Sequence, residues 1–126
     1  MKKVDFKLQN TSFDDVIKNS DFISIHVPSQ KEYVIGKSDF AQMKDGVGII
    51  NASRGGTLDE VALIDALESG KVAFAGLDVY ESEPSPEIRI LMHPKISLTP
   101  HIGAATEEAQ NRIGLELADQ IVALLN

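Results

Sequence analysis

Short apolar runs alternate along the chain with longer stretches in which apolar positions recur three and four residues apart. The uncharged run from Val47 to Ile50 is entered from Gly46 and left through Asn51, Ala52, Ser53, Arg54 and a glycine pair. Being short, β-branched and bounded by glycines, it predicts a fully buried strand of a parallel sheet. Phe22 to Val27, stopped by Pro28, and Ala73 to Val79 (AFAGLDV) predict two more buried strands. Ile96, Leu98 and Thr99, stopped by Pro100, predict a fourth, and Val4 to Leu8 predicts a weak one ahead of them all.

Helical patterns fill the gaps. Asn10, Thr11 and Ser12 can cap a short helix with Asp14 and Asp15 in its first turn, where the helix dipole favours anions. Phe13, Val16 and Ile17 give that helix its apolar face. Ser38 and Asp39 begin another, through Met43. Asp59 and Glu60 open a third, carrying Val61, Leu63, Ile64 and Leu67, and Gly70 ends it. Tyr80 to Pro94 holds three of the five prolines and reads as a loop. Thr106 caps a long last helix whose Ala109, Ile113, Leu117, Ile121 and Leu125 predict a packing stripe. Strand and helix in this rhythm mean an α/β fold, a parallel sheet with right-handed crossovers and flanking helices.

Composition changes this picture in a few places. At 126 residues and 43% hydrophobic the chain suits one globular domain. Its net charge of −7, with no basic run, argues against nucleic acid or an anionic membrane as the main partner. The absence of cysteine removes disulfides and thiolate metal sites, and fits a reducing compartment. The opening MKKVDFKLQN has no apolar core of signal-peptide length, and no stretch reaches the roughly 20 apolar residues that span a bilayer. A soluble, cytoplasmic protein is expected.

The candidate chemistry lies where the strands end. His26-Val27-Pro28, Asn51 to Arg54, Asp78 and Thr99-Pro100-His101 follow successive strands, and a parallel sheet brings such ends to one edge, where ligands bind. Arg54 can grip a carboxylate through two parallel hydrogen bonds, or close its loop against a neighbouring acid; both readings stand. Asp78 can accept hydrogen bonds from a ligand or cap the following loop. Glu83, on an acidic loop, reads as a solvated charge. His101, between a strand-stopping proline and a helix start, suits proton transfer near neutrality, with Glu83 or Asp78 as its carboxylate partner. His26 reads as a satisfied strand residue and His93 as a surface loop residue. Neither stands at metal-ligand spacing, so no metal is expected.

NASRGG (Asn51 to Gly56), GLDVYESEP (Gly76 to Pro84) and TPHIGAAT (Thr99 to Thr106), in this order and spacing, resemble the D-isomer-specific 2-hydroxyacid dehydrogenases, most of all their phosphoglycerate-oxidising branch. His26 to Pro28 and the EEAQNRIG opening of the last helix agree. The resemblance implies an NAD-dependent oxidoreductase, cytoplasmic, passing hydride between nicotinamide and a 2-hydroxy or 2-oxo acid, with a place in serine biosynthesis. It implies that Arg54 holds the substrate carboxylate and 2-oxo group, that His101 is the general acid/base, and that Glu83 is its paired carboxylate. Asp78 would bond the nicotinamide carboxamide. Val27, Ala52, Ser53 and Arg54, with His101, Ile102, Gly103 and Ala104, would line the cofactor.

One departure accompanies the match: the chain contains no G-x-G-x-x-G turn to cradle the pyrophosphate. Residues 1–126 are therefore expected to be a partial, Rossmann-like half of a doubly wound parallel sheet, lacking that turn and the substrate domain. Weak or absent NAD binding and no activity as an isolated chain follow. Phe22 to Val27 would then be a bare sheet edge, a template for a homodimer through that strand or through a swapped terminal element. A non-catalytic, self-associating half-domain or scaffold is the alternative.

Overall fold

The computed structural model describes residues 7–125. Its elements are α1 (Phe13–Asn19), β1 (Phe22–Ile25), α2 (Lys37–Gln42), β2 (Val47–Asn51), α3 (Glu60–Glu68), β3 (Val72–Leu77), α4 (Ile88–Leu91), β4 (Ile96–Leu98) and α5 (Glu107–Leu125). The four strands form one parallel sheet in the order β1-β2-β3-β4. Because each strand lies beside the one before it, crossovers of a single hand put the intervening helices on the same face. The fold is α/β, a partial Rossmann-like sheet with flanking helices.

Register divides the side chains into two sets. Ile23, Ile49, Ala75 and Ile96 form one cross-strand row, and Ile25, Asn51, Leu77 and Leu98 the next. These rows face α1 to α4 and join Ile17, Phe40, Leu63, Leu67 and Ile90 in the core. The alternate rows, Phe22-Gly48-Phe74 and Ser24-Ile50-Gly76-Ser97, look outward. There the Phe22 and Phe74 rings meet at 6.0 Å across Gly48. A Cβ at Gly48 would lie 2.7 to 2.9 Å from those rings, so glycine is what lets them close over β2.

Local signals explain the helix ends. Ser12 Oγ accepts from Asp15 N–H (3.2 Å), Asp59 Oδ1 from Ala62 N–H (2.9 Å), and Thr106 Oγ1 from Ala109 N–H (3.2 Å). Each supplies an acceptor that the first helical turn lacks. Gly70 ends α3 with φ +81°, the left-handed conformation expected of a residue just past a helix.

Several expectations need correction. The weak strand at Val4 to Leu8 falls mostly on residues 1–6, outside the described residues, and Lys7 and Leu8 are not in a strand. β1 stops at Ile25, leaving His26 exposed, with Ser24 Oγ and His26 Nε2 2.7 Å apart, rather than satisfied within a strand. β2 and β3 are not fully buried, because only one face of the sheet is covered: Ile50 and Phe74 are exposed. Phe13 and Val61 are likewise half-exposed on otherwise packed helices. The Tyr80 to Pro94 loop contains the one-turn helix α4, whose Ile90 is wholly buried. The stripe on α5 is not covered as expected: no described residue of that helix is buried.

Candidate active site

The described strands end along one rim, and each expected site residue lies there or on a loop resting on it. Val27 follows β1, Ala52 to Arg54 follow β2, Asp78 follows β3, and His101 to Ala104 follow β4. Glu83 reaches the rim from the loop after Asp78.

Asn51 shapes the Arg54 loop. It is only 2% exposed, and its Oδ1 accepts from the Ser53 N–H (3.2 Å) and hydroxyl (2.9 Å). Its Nδ2 donates to the Arg54 carbonyl and to Thr57 Oγ1, both at 3.2 Å. A buried amide must find such partners, and here they fold five residues of backbone around it. Arg54 itself is exposed, with Nη1 donating to the Ser53 carbonyl at 2.6 Å. Among the described residues no carboxylate lies within ion-pair distance of it, which removes the loop-closing alternative. Two parallel donors remain free to meet an anion.

On the other side of the rim, His101 has φ +55°, a left-handed backbone that costs a non-glycine residue about 1–2 kcal/mol. Asp78 holds it there. Asp78 Oδ1 accepts from Thr99 Oγ1 (2.5 Å) and Ile102 N–H (2.9 Å), and Oδ2 from Gly103 N–H (2.8 Å). At Gly103 a Cβ would stand 2.8 Å from Oδ2, so the backbone comes as close to the carboxylate as it can. Burial alone pushes the Asp78 carboxyl up, yet these three hydrogen bonds and His101 outweigh it and hold the group below the usual range. Asp78 thus caps a loop, as its structural reading anticipated, but that of β4 rather than its own.

His101 Nδ1 lies 2.7 Å from Glu83 Oε2. Glu83 Oε1 accepts from Tyr80 N–H (3.0 Å), fixing the carboxylate from behind. The His101 hydrogen bond, then that from Tyr80, hold Glu83 below the usual carboxylate range. Glu83 is therefore a paired group and not the solvated charge its acidic surroundings suggest. The Tyr80 hydroxyl donates to the Thr99 carbonyl at 2.6 Å, tying this loop to the strand that carries His101. His101 and Glu83 open onto a cavity of about 550 Å³ lined also by Tyr80, Leu91, Leu98 and Pro100.

A second recess, about 230 Å³, lies where the open face of the sheet meets the rim, bounded by Ile50, Ala52, Gly76, Asp78 and Leu98. Its apolar floor and single acidic wall suit a flat ring bearing an amide. Asp78 Oδ2, with one donor, keeps acceptor capacity for that amide. The residues present thus fit the nicotinamide end of a dinucleotide. They include no G-x-G-x-x-G turn for its phosphates. His93 accepts a hydrogen bond at Nδ1 from Lys95 N–H (3.2 Å), as a loop residue. Among the described residues no His, Cys, Asp or Glu cluster could hold a metal ion, and no helix is long and apolar enough to cross a membrane.

Asn51, Thr57 and Tyr80 shape the site without having been given a role from the sequence. An amide and a hydroxyl, each three residues from an arginine that follows an apolar strand, were the available signal for the first two.

Comparison with known proteins places the chain in a family. The family described as D-isomer specific 2-hydroxyacid dehydrogenase, NAD binding domain, matches residues 2–103. The chain is 50% identical over 113 residues to a D-3-phosphoglycerate dehydrogenase of Archaeoglobus fulgidus, covering 87% of this chain and 21% of that protein. It is 48% identical over 124 residues to a hydroxypyruvate reductase of Thermotoga maritima, covering 94% and 40%. The crystal structure of a glyoxylate reductase from Paecilomyes thermophila superposes with a TM-score of 0.76 at 47% identity, covering 83% of this chain and 33% of that one. The chain spans about a fifth to two fifths of the length of these curated relatives.

Proposed function

The chain belongs to the D-isomer specific 2-hydroxyacid dehydrogenases, through their NAD-binding domain, and we propose that it supplies the proton-transfer and anion-holding groups of such an enzyme. The observation that carries this reading is the 2.7 Å contact between His101 Nδ1 and Glu83 Oε2 at the strand-end rim. With Nδ1–H donated to the carboxylate, Nε2 is the atom that exchanges a proton with the substrate 2-hydroxyl. Glu83 also stabilises the imidazolium while it holds that proton. Arg54 grips the substrate carboxylate and sets positive charge beside the oxygen on which negative charge develops. Ala52, Asp78 and the Ile102 to Ala104 backbone hold the nicotinamide, with Val27 and Ser53 at its margins; when bound, it carries the hydride. A 3-phosphoglycerate-type hydroxy acid is the proposed substrate.

We read residues 1–126 as a partial nucleotide-binding domain that binds NAD weakly and does not turn over as an isolated chain, for want of the phosphate-cradling turn. Mixing the chain with a polypeptide carrying the G-x-G-x-x-G half and a substrate domain tests this. NADH oxidation with a 2-oxo acid is expected only in the mixture, and it disappears with His101→Ala. Turnover that survives His101→Ala would sink the assignment. Micromolar NAD affinity of the chain alone, by calorimetry, would contradict the weak-binding reading.

A second reading, a self-associating half-domain, draws on the exposed Phe22, Ile50 and Phe74 and on the unburied stripe of α5. A homodimer through the β1 edge or a swapped α5 covers these surfaces. A light-scattering mass of one chain at high concentration would exclude it.

A further inference from the structure

We propose that Glu60 and Glu81 form a reciprocal latch that positions the Glu83 loop against both His101 and the Arg54 loop. Glu60 is the first residue of α3, and its backbone N–H donates to Glu81 Oε1 at 2.9 Å. In return the Glu81 N–H donates to Glu60 Oε1 at 2.7 Å. Each residue thus offers the other a donor and an acceptor, across 21 positions of sequence. Tyr33 adds a hydroxyl bond to Glu81 Oε2 at 3.2 Å.

The latch sits between the two halves of the site. On one side, a Cβ at Gly55 would fall 1.8 Å from the Tyr80 carbonyl oxygen, so the loop carrying Arg54 lies directly on the backbone next to Glu81. On the other, Tyr80 N–H and His101 hold the two oxygens of Glu83. Glu60 is 6% exposed. Burial pushes its carboxyl up; the Glu81 N–H works against this, and the charges of Glu81, Glu87 and Glu83 add to the rise. A buried acid among acids is unfavourable unless its hydrogen bonds are needed, and here they join α3 to the acid-bearing loop. Glu60 and Glu81 touch no reacting atom in this arrangement; they are positioning residues.

The inference rests on the proposed pairing of Glu83 with His101, and its test reads that pair without turnover. The Glu83 carboxyl is followed by carbon NMR as the 126-residue chain is titrated. In Glu60→Ala and in Glu81→Ala the Glu83 midpoint is expected to rise toward the ordinary value of about 4.3. In Glu60→Gln, whose amide oxygen still accepts from Glu81 N–H, it is expected not to rise. The sign is diagnostic, since removing an acidic neighbour lowers a carboxyl midpoint by electrostatics alone. Glu81 is exposed and tolerates truncation, so that variant decides the matter if Glu60→Ala does not fold. A folded Glu81→Ala with Glu83 unmoved or lowered overturns the latch, as does a rise in Glu60→Gln. A complemented enzyme insensitive to His101→Ala would remove the catalytic reading and leave the latch measurement standing.

Discussion

On one face of the sheet Ile49 and Val72 are wholly buried, against Leu63 and Leu67 of α3, whereas on the other Phe22 keeps 71% of its surface exposed and Phe74 41%. Both faces come from the same strands, and both are apolar. The difference is that α1 to α4 lie on the first and no described helix is buried on the second. Apolar content in a strand thus states a capacity for burial, and crossover handedness decides which face this chain fills by itself.

The sharpest way to break that comparison is to truncate one residue from each face. Leu67→Ala removes a wholly buried side chain and leaves a cavity, an expected loss of about 3 kcal/mol in urea unfolding. Phe22→Ala on the open face is expected to stay within about 0.5 kcal/mol. A comparable loss at Phe22, growing with protein concentration, would show that the open face is covered by a second copy in solution.

Glycines give the next contrast. Gly55→Ala drives a methyl into a backbone carbonyl, which cannot step aside, and about 1–3 kcal/mol of destabilisation is expected. Gly48→Ala meets only ring edges of side chains that border solvent, so the rings swing out and the loss is smaller. Equal losses from the two would mean that the Phe22-Phe74 pair is held as firmly as core.

These differences also mark what was legible in the sequence. β2 was, because an uncharged β-branched run between glycines has few alternatives. α5 was legible as a helix but not in its packing, since an apolar stripe announces a buried face without naming its partner. α4 was hidden because Ile88 to Leu91 sits among prolines. At the site, Arg54 and His101 stood out by residue type and place, while the choice between Asp78 and Glu83 as the histidine's partner stayed open. The family resemblance points to Glu83, and the folded chain shows the physical reason: Asp78 is occupied with Thr99, Ile102 and Gly103, contacts 21 to 25 residues away that no local pattern encodes.

The rim's dependence on Asp78 makes a pH prediction. A carboxyl held below its usual value contributes stability that is present above the unfolded value of about 3.9 and lost as pH falls through the lower folded value. Asp78→Asn has no such contribution. Wild type should therefore exceed the variant at pH 7, with the gap closing as pH drops below about 4, read as urea midpoints. Glu60 runs the other way: its raised carboxyl makes ionisation oppose folding, so Glu60→Gln should gain on wild type as pH rises above about 4.3. A gap for Asp78→Asn that stays constant with pH would mean that its charge contributes nothing to the rim.

The smallest effect tests how far the covered face and α5 are separate. Gly114 lies inside α5 with open space around it, so alanine there gains helix propensity of about 1 kcal/mol without meeting any atom. Because α5 buries no residue, little of that gain is expected to reach the core. Helical circular dichroism and amide protection in α5 should rise, while the unfolding midpoint of the sheet moves by less than about 0.5 kcal/mol. A midpoint that rises with α5 would show the two coupled. If the rise also depended on concentration, the coupling would run through a neighbouring copy, whose open sheet face carries the exposed Phe22 and Phe74 that could receive the helix.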